Sequence, residues 1–130
     1  MDIDAALMTC LKAHTGLAAL VADRIHFDDV PQGAPLPYVI VLDVSNPIDE
    51  DLQGPIDVEE PVKQFSAYAS TRAGAKAVAA QLRAALRSWA TPGLQHARFL
   101  SSRISTETDA DGLVRVTIVD LEYRITHAKE

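Results

Sequence analysis

The sequence predicts an α+β fold: a mainly antiparallel four-stranded sheet with two helices on one face, in the order α-β-β-α-β-β. Three observations predict it. Apolar residues recur at three- and four-residue steps near the start of the chain and again between residues 75 and 89. The block Tyr38–Val44 is rich in β-branched residues, apolar on both faces and too short for a helix. Towards the end, two strand-like runs flank Asp109-Ala110-Asp111-Gly112, and an Asp-Gly step is a strong hairpin signal.

In chain order, Ile3, Leu7, Cys10 (or Leu11) and His14 form the first helical stripe. Asp2 and Asp4 stand at its positive dipole end, and Gly16 is expected to stop it. Leu17–Ala22 reads as a short second helical stretch, after which Arg24–Phe27 leaves it extended. Pro31, Gly33, Pro35 and Pro37 enforce a non-helical crossing to the strand at Tyr38–Val44. Asn46 to Glu60 is a long excursion with turn chemistry at Asn46-Pro47 and Gly54-Pro55. From Asp43 to Glu60 there are seven acids (Asp43, Asp49, Glu50, Asp51, Asp57, Glu59 and Glu60) and no base. A strand resumes near Val62 and runs through Phe65 and Tyr68 to Ala69.

Ser70 or Thr71 then caps the main helix. Ala75, Val78, Ala79, Leu82, Leu86 and Trp89 make one apolar stripe, with Arg72, Lys76, Arg83 and Arg87 off it. Pro92-Gly93 ends this helix, and Phe99–Thr108 and Leu113–Ile125 form the terminal hairpin.

A chain of 130 residues is expected to be a single domain spanning residues 1–130. Its 48% apolar and 23% charged residues are those of an ordinary globular protein. The lone Cys10 has no disulfide partner, so a reducing compartment suits the fold. The start, Met1-Asp2-Ile3-Asp4, is acidic where a signal peptide would be basic, and no apolar run approaches membrane-spanning length. Assembly in the cytoplasm, away from membranes, is the expectation. A net charge of −6 opposes affinity for a phosphate backbone.

No catalytic, cofactor-binding or metal-binding set emerges. His14, His26, His96 and His127 fall in different elements, none at the spacing of a ligand pair. Cys10 lies on the buried side of a helix, where a free cysteine is usually an apolar filler. Ser101, Ser102 and Ser105 carry no nucleophile-elbow glycines, and the phosphate-cradling glycine motifs are missing. Asp49-Glu50-Asp51 lacks the alternation and distal Glu of a calcium loop and reads as solvated acid.

What the sequence offers is surplus apolar surface. Leu113, Val119, Leu121, Tyr123 and Ile125 can face the helices, while the opposite register of the last strand holds Val114, Val116 and Ile118. Two helices cover one sheet face only. The second row, taken with Val39 and Val41, therefore calls for a cover: a partner subunit is the natural one, a loop or the chain termini folding over it the alternative.

The order of elements, with its punctuation, resembles the tail-terminator or tail-completion proteins of siphophages, also found in gene transfer agents and prophages. The resemblance rests most specifically on Asp23-Arg24-Ile25 and on Pro31-Gln32-Gly33-Ala34-Pro35-Leu36-Pro37-Tyr38. The Asp4–Ile25 opening, the Tyr68-Ala69-Ser70 step, the alanine-rich helix and the terminal hairpin extend it over the chain. It implies a non-enzymatic virion protein at the head–tail junction. Such a protein forms a homo-oligomeric ring, usually a hexamer, that caps the tail tube protein and docks to head-completion or connector proteins. DNA would pass through the channel without specific binding. Apart from the resemblance, the like charges of Asp49, Glu50, Asp51, Asp57, Glu59 and Glu60 repel, so this run is expected to reach the lumen or a partner. Globules of roughly 18 Å radius, six to a ring, leave a hole of roughly 36 Å, whereas four leave only about 15 Å; rings of five or seven also pass this estimate. The rival class is a dimeric small-molecule-binding or regulatory module. It would need a concave pocket with convergent polar groups, and mass in solution discriminates the two.

Overall fold

The computed structural model describes residues 2–45, 50–51, 54–55, 58–108 and 115–128. Two helices open the chain, α1 (Ile3–Ala13) and α2 (Thr15–Val21). Asp2 caps α1 by accepting from the Ala5 N–H at 3.1 Å, relieving one of the orphan donors of the first turn. The break between them falls at His14, which is extended, and not at Gly16. Gly16 sits inside α2 for a packing reason: a Cβ there would come within 2.1 Å of Gln81 Oε1 on the next helix. Gln81 Oε1 is in turn bonded to His14 Nε2 at 3.0 Å, which ties the α1–α2 junction to that helix.

The strands are β1 (Ile25–Phe27), β2 (Tyr38–Ser45), β3 (Glu50–Asp51), β4 (Gly54–Pro55), β5 (Val58–Glu59) and β6 (Val62–Ala69). Helix α3 (Arg72–Arg87) and the long strands β7 (Leu94–Thr108) and β8 (Arg115–Ala128) complete the chain. The main sheet runs β1-β2-β6-β8, with β7 on the far side of β8 and β5 beside the end of β8. It is six-stranded, mixed and curled, which corrects the predicted four-stranded antiparallel sheet and its α-β-β-α-β-β order. Two causes account for the extra strands. The extended Arg24–Phe27 stretch pairs parallel with β2, Ile25 opposite Val39, held by Val39 N–H donating to Arg24 O and Arg24 Nε donating to Pro37 O, both at 2.9 Å. Strands β5 and β6 lie in one register along β8, interrupted at Pro61. Proline has no N–H for the ladder, yet its carbonyl still accepts from Ile125 N–H at 2.9 Å.

The core lies between one sheet face and the helices. From the helices come Leu7, Leu11, Leu17, Val21 and the α3 stripe of Ala75, Val78, Ala79, Leu82, Ala85 and Leu86. The sheet contributes Val39, Val41, Phe65, Ala67, Val119, Leu121, Tyr123 and Ile125. Thr71 caps α3 by accepting from Gly74 N–H at 3.0 Å. Trp89, just past the helix, is half-buried against the core. Arg83, off the stripe, is not idle: its guanidinium lies 4.2 Å from the centroid of the Phe99 ring. Arg83→Ala should therefore lose about 0.5–1 kcal/mol, the range of an exposed cation–π contact, in urea denaturation.

Candidate functional site

The sheet face away from the helices, and the outer edge that adjoins it, are the surfaces left for other molecules. On that face Tyr38 and Tyr68 stack at 4.9 Å between ring centroids, and Ile118 stands opposite Tyr68 in register. Next along come Ile40, Ser66 and Asp120, opposite one another across β2, β6 and β8. Ser66 Oγ donates to Asp120 Oδ1 at 2.7 Å, Gln64 Nε2 donates to Ser66 Oγ at 3.0 Å, and Arg103 Nη2 reaches Asp120 Oδ2 at 3.2 Å. The face is thus apolar at the Tyr38–Tyr68 end and hydrogen-bonded beyond it.

The sequence-predicted contact residues divide. Val116 is half-buried on this face; Ile118 is 4% exposed on it, yet outside the core cluster. Val39 and Val41 are corrected: both point to the helix face, pair with Ala67 and Phe65, and are fully buried in the chain's own core. Their place on the far face is taken by Tyr38 and Ile40, one residue out of phase. Val114 lies outside the described residues.

Among the acidic candidates, Asp49 and Asp57 also lie outside the described residues, and Glu50 and Asp51 belong to the small β3–β4 pair. Glu59 and Glu60 fold back onto the main sheet: Glu59 pairs with His127 across β5 and β8, and Glu60 Oε1 accepts from Thr126 Oγ1 at 3.3 Å. Asp43, at the head of the same acidic run, finds its base just past the run. Lys63 Nζ bonds Asp43 Oδ1 and also Asp4 Oδ1, the latter at 2.8 Å, and Lys63 is itself only 3% exposed.

Other exposed apolar residues escaped the sequence reading. Val44 (50% exposed), Phe99 (37%), Leu100 (38%) and Ile104 (36%) stand open, three of them on β7. Strand β7 pairs with β8 alone among the described residues, so its other edge is an open row of backbone donors and acceptors. A signal was present: Ser101, Ser102, Ser105 and Thr106 put polar side chains on both faces, as suits an edge strand.

Chemical reactivity is muted. Burial pushes the Cys10 thiol up to about 11, and its sulfur donates to the Ala85 carbonyl at 3.6 Å. That is the opposite of an activated nucleophile. Burial, with Glu107 nearby, also raises the Tyr38 and Tyr68 phenols. Tyr123 is raised by burial against the lowering effect of Arg83. For Lys63, burial lowers the ammonium while the hydrogen bonds and charges of Asp4 and Asp43 raise it, with a net rise. Every one of these folded-state values lies above its ordinary value. Each group therefore contributes stability below its unfolded pKa and loses it as pH climbs through the folded one. Melting temperature should hold to about pH 9 and then fall, with Cys10→Ala delaying the onset.

Among the described residues no three His, Cys, Asp or Glu side chains are grouped to hold a metal, and no helix is long and apolar enough to cross a membrane. An open sheet edge with apolar side chains standing along it is the kind of surface that other protein chains cover. The chain belongs to the family of tail completion protein gp17, whose model matches residues 5–127. Among solved structures it is similar to a chain in the virion of a native gene transfer agent particle. The two are 28% identical with a TM-score of 0.68, over 98% of this chain and 95% of that one. It also shares the fold of the gp17 protein of bacteriophage SPP1, at 19% identity and a TM-score of 0.55, over 98% and 91% of the two chains. No relative was found among curated protein sequences.

Proposed function

We propose that this chain caps the finished tail tube of a phage or phage-like particle as a ring, a hexamer as the family resemblance implies, and joins the tail to the head-completion or connector proteins. The observation that carries this is the match to the tail completion family over nearly the whole chain, together with its similarity to a subunit of an assembled gene transfer agent virion. The work is mechanical. Each subunit supplies contact surfaces to its neighbours, and the ring leaves a channel for DNA. The chain's charge of −6 suits that channel, because a lining of Lys and Arg would bind the duplex through counterion release. The far-face residues Val116 and Ile118, with Val114 before them, are assigned to the subunit contact. The acidic run through Asp49, Glu50, Asp51, Asp57, Glu59 and Glu60 is assigned to the lumen or to a docking partner.

Negative-stain images of the purified protein, with and without tail tubes, test the ring. Six-fold rings, or a monomer that forms rings only on tube ends, are expected; a stable dimer that ignores tubes overturns the reading. Neutralising Asp49, Glu50 and Asp51 to Asn, Gln and Asn tests the acidic run. A lumenal run gives normal particles with altered DNA ejection; a docking run gives tails that fail to join heads, more so at high salt. Normal assembly and infection at every salt concentration would reduce the acidity to solvated surface.

A further inference from the structure

An open cleft of about 410 Å³ lies where the N-terminus of α1 meets the ends of β2, β5, β6 and β8. Asp4, Asp43, Glu59, Lys63 and His127 line it. Lys63 engages one oxygen of Asp4 and one of Asp43, so three carboxylates face one ammonium and the cleft keeps a net negative charge. Both aspartates keep their outer sides in solvent, at 51% and 67% exposure, available to a second cation.

The floor of the cleft holds the more telling group. His127 is fully buried, and its Nε2 has no hydrogen-bond partner among the described residues. Its other nitrogen, Nδ1, lies 2.7 Å from the Ala128 carbonyl oxygen. A carbonyl only accepts, so Nδ1 carries the proton, and the Nδ1–H tautomer presents Nε2 as a bare lone pair. Nε2 is 3.8 Å from Glu59 Oε2, too far for a hydrogen bond between them. In that tautomer two acceptors face each other with no donor between them among the described residues, and a buried acceptor left unpaired is costly. The Glu59 side chain is 30% exposed, so this carboxylate is the member of the pair that solvent reaches.

We propose that this cleft receives a basic side chain, arginine or lysine, from a different protein of the tail or connector. Its N–H groups donate to His127 Nε2 and Glu59 while its charge offsets the remaining carboxylates. A guanidinium suits the site better than an ammonium, since its planar fork can serve two acceptors at once. A foreign partner is favoured over a second copy by charge. The cleft stands at the root of a run from Asp43 to Glu60 with seven acids and no base, and another copy brings the same −6. The inference rests on the tail reading only for the identity of the partner; the chemistry of the cleft is independent of it.

The test uses methylguanidinium as the probe, with methylammonium and sodium for comparison, read by the ring-nitrogen shifts of His127 in the isolated protein. Expected at neutral pH are an Nδ1–H tautomer, a saturable shift of Nε2 with methylguanidinium, a weaker one with methylammonium and none with sodium. Glu59→Gln should weaken the probe about tenfold. A ring already protonated at Nε2, a shift that never saturates, or probe affinity unchanged by Glu59→Gln would each overturn the proposal. So would a self-association equilibrium that Glu59→Gln or the probe disrupts, because a second copy would then be the occupant. Failure of tube capping with the probe results intact would strike the tail reading alone.

Discussion

Phe65→Ala should destabilise the isolated chain by about 3–5 kcal/mol, enough to unfold a marginal domain on its own. Phe65 is fully buried at the centre of the sheet, opposite Val41 on β2 and Leu121 on β8. Its ring meets Tyr123 edge-on at 5.7 Å between centroids. Truncation removes the transfer free energy of the ring and leaves a cavity walled by strands. Strands joined by backbone ladders collapse inward less readily than a loop would. The aromatic pair adds a further contribution of about 0.5–1.5 kcal/mol. Phe65→Leu keeps most of the volume and should cost much less, about 1.5 kcal/mol, the upper end for volume-conserving core swaps. Urea titration of the three proteins reads the comparison, and a loss under about 1 kcal/mol for Phe65→Ala would mean that the core relaxes around this position.

How far the sequence disclosed this architecture depends on how strongly each segment's pattern constrains its face. The α3 stripe was legible because six apolar residues at helical spacing admit only one buried side. The helix-facing set of β8 was legible for the matching reason: Val119, Leu121, Tyr123 and Ile125 alternate with Asp120, Glu122 and Arg124. Strand β2 gave no such parity. Val39, Ile40 and Val41 are consecutive and all buried, so periodicity could not say which two face the helices, and the wrong pair was assigned to the contact surface. Pairing decided it, through Val41 opposite Phe65. The parallel β1 was hidden because a three-residue strand carries no period of its own. The cleft was hidden because its lining residues, Asp4, Asp43, Glu59, Lys63 and His127, are scattered along the chain and only pairing of β5, β6 and β8 gathers them.

The two far-face residues separate folding from assembly, and they should answer differently to the same charge. Ile118 is 4% exposed in the single chain, flanked in register by Tyr68 on β6 and Ser105 on β7. Ile118→Asp would bury a carboxylate with no cationic partner facing it in either register neighbour, and should cost more than about 4 kcal/mol or prevent folding outright. It is therefore a poor probe of the ring, whatever the ring looks like. Val116 sits two residues nearer the start of β8, half-buried and opposite Glu107 on the edge strand β7. In the isolated chain Val116→Asp keeps access to water, so its melting temperature should fall by only a few degrees, in line with a loss near 1 kcal/mol. If a neighbouring subunit covers this row, the same carboxylate becomes an unpaired buried charge at every contact around the ring, and capping of tail tubes should fail while the fold survives. Circular dichroism melts beside tube-capping images read both halves. A Val116→Asp protein that folds and still caps tubes would show that no subunit covers this row, and would move the contact to the open edge of β7, where Leu100→Asp is the variant to try next.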